Sequence, residues 1–270
     1  MLRNVTRLKG FEIRARDGEF GTLEQLYFDD ENWAIRYLVV NSGIWLSGRL
    51  VLVSPIAVRQ AKWESKRIDV ALTKKQIENS PAIDTHKPVS RQHEAVYMGY
   101  YGYPYYWGGP KLWGLASYPA GLSVQREAVT EAEAAQARAG RESADSHLRS
   151  TDEVTGYHIE ASDGEIGHVR DFIVDDETWA IRYLEVDTQN WWPGKKVLVS
   201  PQWINRVSWA DSKVYVEHTR ETIQNGPVWN DAIPITREYE YRLHEYYARS
   251  PYWAPVAELH VCEASEGRLM

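Results

Sequence analysis

The chain is one unit written twice. Gly10 to Pro55 aligns without a gap on Gly156 to Pro201, and the offset of 146 residues holds from Leu2-Arg3 and Leu148-Arg149 to Tyr106-Trp107 and Tyr252-Trp253. A period this long marks a duplicated domain, since solenoid repeats run to about 20–50 residues. The duplication divides the 270 residues into a first domain over 2–107, a linker over 108–147, a second domain over 148–253 and a tail over 254–270. It also supplies a filter: a side chain that both copies need must recur 146 positions on.

Each copy reads as a series of short strands. Asp17-Gly18 and Asp163-Gly164 sit between alternating runs, and Asp-Gly supplies the positive φ of a tight hairpin turn. An acidic turn follows, Asp29-Asp30-Glu31 or Asp175-Asp176-Glu177, leading into a strand from Trp33 or Trp179. The apolar runs 51–53 and 197–199 stop at Ser54-Pro55 and Ser200-Pro201, where proline ends a ladder. A last pair of strands spans 56–63 and 67–71. Short strands at these intervals, with turn signals between, point to a small barrel or sandwich. Helices come last. Thr73 to Gln76 reads as a capping box. Ser90 and Thr236 read as caps of a second helix bearing Arg91 and Glu94, or Arg237 and Glu240. The fold class is mainly β with short helical additions. The segment from Gly108 is broken by Gly and Pro, then turns Ala/Glu/Arg-rich without an apolar stripe, which reads as a linker.

Composition narrows the function. Of 33 aromatics, 12 are Trp, 17 Tyr and 4 Phe, so most carry a polar handle suited to half-wet positions. Net charge is −7, divided into +3 over 2–107 and −7 over 148–253, with the linker and tail adding −3. An acidic chain lacks the basic field of a general nucleic-acid binder, while unlike copies attract, within the chain or between chains. Cys262 is the single cysteine, so no intrachain disulfide forms, as expected in a reducing cytosol. No apolar run approaches the ~18–20 residues of a membrane span, and the first residues hold no signal-peptide core. A cytoplasmic location is expected, at most peripheral to a membrane complex.

No reaction emerges. None of the eight His recurs at the 146-residue offset or forms a metal-ligand spacing, and no nucleophile-elbow or phosphate-loop motif stands in its strand–turn–helix context. The turn acids read as caps of backbone amides. Arg36 and Arg182, each mid-strand, are expected to pair with them as Arg36–Asp30 and Arg182–Asp176. Catalytic, metal and cofactor sites are therefore expected to be absent.

The pattern Asp-Gly-Glu-X-Gly, then Asp-Asp-Glu-X-Trp-Ala-Ile-Arg-Tyr-Leu, then Val-Leu-Val-Ser-Pro resembles the PRC-barrel family, in particular bacterial proteins with two such domains in tandem. The likeness spans roughly 5–81 and 151–227. It implies a mostly antiparallel β-barrel of about six strands with short C-terminal helices in each copy. It also implies assembly of macromolecules rather than chemistry. The family includes the cytoplasmic domain of the photosynthetic reaction-centre H subunit and a domain of a ribosome maturation factor. This chain lacks the transmembrane helix of the former and the N-terminal domain of the latter.

The expected function is non-enzymatic protein–protein assembly. Alternatives are an RNA- or ribosome-associated factor, a partner of a photosynthetic membrane complex, and a small-molecule binder. The two copies are expected to pack as an intrachain pseudo-dimer, with homo-oligomers possible. Trp33 and Trp63, with their twins Trp179 and Trp209, read as strand residues packed in the barrel. The candidate interaction surface is the loop residues Trp45, Trp191 and Trp192. To these are added the aromatics after each barrel: Tyr100, Tyr101, Tyr105, Tyr106 and Trp107, and Tyr246, Tyr247 and Trp253.

Overall fold

The computed structural model describes residues 1–43, 48–81, 89–124, 147–188, 195–230 and 234–254. Copy one contains β1 (Leu2–Asn4), β2 (Glu12–Ala15), β3 (Gly18–Asp29), β4 (Ala34–Asn41), β5 (Leu50–Val53), β6 (Val58–Lys62) and β7 (Arg67–Val70). The helices α1 (Lys74–Glu78), α2 (Arg91–Tyr101) and α3 (Ala120–Val124) follow. Copy two repeats the plan. Its strands are β8 (Leu148–Ser150), β9 (His158–Ala161), β10 (Gly164–Asp175), β11 (Ile181–Asp187), β12 (Lys196–Val199), β13 (Ile204–Ser208) and β14 (Lys213–Val216). Its helices are α4 (Thr151–Val154), α5 (Arg220–Asn225) and α6 (Arg237–Tyr246).

Local chemistry sets these elements. The hairpin glycines Gly18 and Gly164 have φ of 132° and 139°. A Cβ at Gly21 or Gly167 would lie 2.1 or 2.0 Å from the carbonyl oxygen of Asn41 or Asp187, so the second glycine of the motif lets two backbones approach. Thr73 and Gln76 form a reciprocal capping box on α1, and Ser90 and Thr236 cap α2 and α6. Trp33 and Trp179 depart from the strand reading. They end the acidic turns with φ of 52° and 60°, a conformation uncommon for bulky side chains. Trp63 and Trp209 likewise sit in the turns between the last two strands.

Each sheet runs in the order β5-β4-β3-β2-β7-β6, or β12-β11-β10-β9-β14-β13. Each also has a seventh strand, supplied by the other copy. β1 pairs antiparallel with β10, Leu2 opposite Asp175, and β8 pairs with β3, Leu148 opposite Asp29. The exchange satisfies backbone edges that would otherwise face solvent. Equivalent residues meet at the centre: Ala34 bridges Ala180, the Ile35 amide donates to the Trp179 carbonyl (2.8 Å) and the Ile181 amide to the Trp33 carbonyl (2.7 Å). Arg3 reaches Asp176 at 3.4 Å and lies over Trp63; its twin Arg149 reaches Asp30 at 2.8 Å and lies over Trp209. One apolar cluster runs through both copies. The segment 109–124 is more than a spacer. Trp113 is fully buried and its indole donates to the Thr178 carbonyl of copy two at 2.8 Å.

A chain cut at a protease site engineered between residues 130 and 131 is expected to elute as one particle in size-exclusion chromatography. Its halves should part only in denaturant. Separation into two native species would show that strand exchange does not hold the copies together.

Candidate functional site

The candidate residues gather around one constellation per copy. On β4, Tyr27 faces Tyr37 while Phe28 faces Ile35, so Arg36 is the extra residue of a bulge. Arg182 has the same place on β11. A bulge re-aims its side chain. Arg36 therefore reaches Asp29, with Nε 2.6 Å from Oδ2, where the sequence pointed to Asp30. Arg182 likewise reaches Asp175, at 3.3 Å, instead of Asp176. Asp30 and Asp176 are taken by the exchanged arginines Arg149 and Arg3. Asp29 also accepts the amides of Glu31 and Asn32. Burial alone would raise the Asp175 carboxyl, but the Glu177 amide, the Thr178 hydroxyl and Arg182 outweigh it and hold the group below the ordinary range.

The aromatic segments fold back onto this pair. The Tyr106 ring lies under the Arg36 guanidinium at 3.9 Å, and Tyr252 under Arg182 at 3.9 Å. The Tyr106 and Tyr37 hydroxyls both donate to Glu94 Oε1, at 2.6 and 3.0 Å. Their twins Tyr252 and Tyr183 donate to Glu240 Oε1 at 2.9 and 3.0 Å. Arg91 and Arg237 flank the same carboxylates at 3.5 and 3.1 Å. Burial, then the charge of Glu94, raises the Tyr37 and Tyr106 hydroxyls well above 10. Tyr252 is pushed up to about 12 for the same reasons with Glu240. The phenols thus stay protonated and act as donors. Glu240 is raised by burial, against the pull of Tyr252, Tyr183 and Arg237.

The two constellations differ in closure. In copy one His147, the last linker residue, held just before β8, places Nε2 2.9 Å from Glu94, and Trp113 closes over Arg36 at 4.6 Å. Arg36 and Trp113 are fully buried, and Arg91 nearly so. In copy two the histidine is His244, on α6, where copy one has Met98; it meets the Tyr183 hydroxyl at 3.0 Å. There the Arg237 side chain remains 52% exposed. Trp203, His218, His244 and Tyr247 pack together, Trp203 filling the position of Ala57. Over Ala57 the fold lays α3, with Leu122 buried.

Most of the candidate surface is packing. Tyr101, Tyr106 and Tyr247 are buried; Tyr105, Trp107 and Trp253 are half-buried. Tyr100 and Tyr246 are exposed, yet each hydroxyl donates to a helix carbonyl, of Gln76 or Thr222. Trp45, Trp191 and Trp192 lie outside the described residues. Reading the sequence missed Trp113, His147 and His244, and it saw Glu94 and Glu240 only as helix ion pairs. The signal was present in part: Tyr37, Arg91, Glu94 and Tyr106 all recur 146 residues on. Among the described residues no group of three His, Cys, Asp or Glu side chains could hold a metal ion. The arrangement does what a satisfied buried polar network does: it fixes one geometry.

Two small β modules, each with an arginine bulge and a strap of aromatics, define a pair of barrel domains fused in one chain. The family model of the PRC-barrel domain matches residues 2–77 and 153–223, and the chain belongs to that family, whose barrels are in general non-catalytic modules. No curated protein matches the chain. No helix among the described residues is long and apolar enough to cross a membrane.

Removing one partner of a fully buried ion pair costs about 3–5 kcal/mol. Arg36→Met is expected to lose that much in chemical denaturation. Arg182→Met, at a partly exposed pair, is expected to lose about 1–2 kcal/mol. Equal losses would refute the difference in closure. A second outcome concerns pH. Burial lowers the His244 imidazole below 6.5, so the native state holds it neutral. Its contribution is present above the unfolded value of about 6.5 and lost as the pH falls from there through the lowered one. His244→Met, the copy-one residue, is expected to flatten the fall in unfolding midpoint between about pH 7 and 5. His218, also lowered by burial, retains its share. An unchanged slope would contradict this.

Proposed function

We propose that the chain is a non-enzymatic, cytoplasmic assembly protein that docks a protein partner on the aromatic end of copy two. The observation that carries this reading is the ledge formed by Tyr241, Trp253 and Arg237. Tyr241 is 55% exposed and meets Trp253 edge-on at 5.2 Å, while the Arg237 guanidinium lies over Trp253 at 4.0 Å. Tyr, Trp and Arg are the residues that dominate binding hot spots. Copy one has no such ledge: Ala95 replaces Tyr241, and Trp107 packs against Tyr105, Tyr106 and Arg91. Strand exchange supports the reading further. It makes the two copies an intrachain pseudo-dimer, so a partner meets a preformed surface and loses little freedom in ordering it.

A photo-cross-linking residue at Tyr241, introduced in the native cell, is expected to capture one protein. That adduct should disappear with Trp253→Ala and be absent from a probe at Glu64, an exposed turn residue of copy one. Scattered adducts, or the same yield from both faces, would refute the assignment.

A further inference from the structure

A second surface lies on the opposite module and has a different chemistry. In copy one, β2, β7 and β6 run side by side, with Arg14 opposite Asp69 and Asp69 opposite Gln60. The buried neighbours Ile13 and Ile68 face the core, so the alternation of the strands turns Arg14 and Asp69 outward. Arg59 is the extra residue of a bulge between Val58 and Gln60. These side chains, with Arg16 and Arg67, line an open cleft of about 700 Å³.

The charge in this cleft is not balanced. Asp69 is its one acid, held by Lys62 at 2.9 Å and by Arg67 at 2.9 Å. Arg14, Arg16 and Arg59 are exposed and have no ion-pair partner among the described residues. The fold does not demand this arrangement, because copy two builds the same strands otherwise. Glu160 stands in place of Arg14, Ser162 of Arg16, Asn205 of Arg59 and Tyr215 of Asp69. There each cation is matched: Lys213 meets Glu160 at 2.6 Å, and Arg206 lies over Tyr215 at 3.8 Å. Three unpaired guanidiniums around one concavity repel one another, and a multiply charged anion relieves that repulsion.

We propose that this cleft binds an oligophosphate, two or three linked phosphoryl groups, through Arg14, Arg16 and Arg59. The guanidinium fork matches two phosphate oxygens at once, which a point charge cannot do. No aromatic side chain lines the cleft on which a base would stack. Recognition therefore rests on the phosphates, and a nucleoside triphosphate gains nothing over the inorganic chain. This proposal stands apart from the docking ledge of copy two and does not depend on it.

Calorimetric titration of the full chain with inorganic triphosphate at low salt is the test. One saturable site is expected, with ATP binding equally well. Arg14→Gln and Arg59→Gln, at exposed positions that leave the melting temperature unchanged, should each weaken binding about tenfold. Glu160→Gln with Lys213→Gln, in copy two, should leave it as it is. Absence of binding to the native chain, or binding indifferent to Arg14 and Arg59, would overturn the proposal. Equal binding of citrate would reduce the cleft to a plain cation patch and overturn it too. Much tighter binding of a short single-stranded RNA, lost in the same variants, would assign the site to a polynucleotide instead.

Discussion

Backbone pairing between the two halves is the contact from which the other features follow. A three-residue strand is too short to hold its place by side chains alone. β1 and β8 hold theirs because each pairs with the largely buried end of a 12-residue strand, β10 or β3. Once β8 lies on β3, Arg149 falls within reach of Asp30, and His147, one residue before the strand, falls beside Glu94. Once β1 lies on β10, Asn4 can donate to both Asp171 and Glu185 at 3.1 and 3.0 Å. Glu185 occupies a core position that is Val39 in copy one, and burial raises its carboxyl. An acid is tolerated there because Asn4, Lys196 and Arg170 converge on it.

The copies share a backbone plan but not an interior. Copy one carries Tyr97, its hydroxyl bridging the Ser54 amide and the Leu52 carbonyl, and a small Ala57. Copy two carries Leu243 at the first position and Trp203 at the second. A large-for-small exchange in one place is met by a small-for-large exchange in another, as close packing requires. The segment after copy one belongs to the same accounting. Leu122 lies buried on the helix that covers Ala57, where copy two has Trp203, and Trp113 closes over Arg36 while Arg182 in copy two stays partly exposed.

Features decided by neighbouring residues were legible in the sequence. The Asp-Gly hairpins, the Ser-Pro stops and the Thr73 capping box each depend on a few adjacent positions, and each is present as read. The duplication was legible because identity at one offset accumulates along the chain. The partner of Arg36 was misjudged by one residue, since a bulge does not show in an alternating pattern and Asp29, Asp30 and Glu31 offer similar chemistry. The strand exchange left only Leu-Arg in each copy as its trace. Trp113 and His147 were invisible for a plainer reason: neither recurs in the other copy, so the repeat that organised the reading passed over them.

Ala34 and Ala180 meet where a twofold axis would pass if the halves were identical. In a dimer of identical chains, every substitution near that axis appears twice and meets its own copy. An added arginine would face an arginine, and an enlarged side chain would collide with its twin. Joining the halves in one chain removes that restriction, because each position can change alone. Glu185 opposite Asn4, Trp203 without a second tryptophan, and arginines on one barrel where the other has glutamate, serine and asparagine are changes of this unpaired kind. The fused axis keeps the geometry of a symmetric pair while letting its two ends acquire different chemistry.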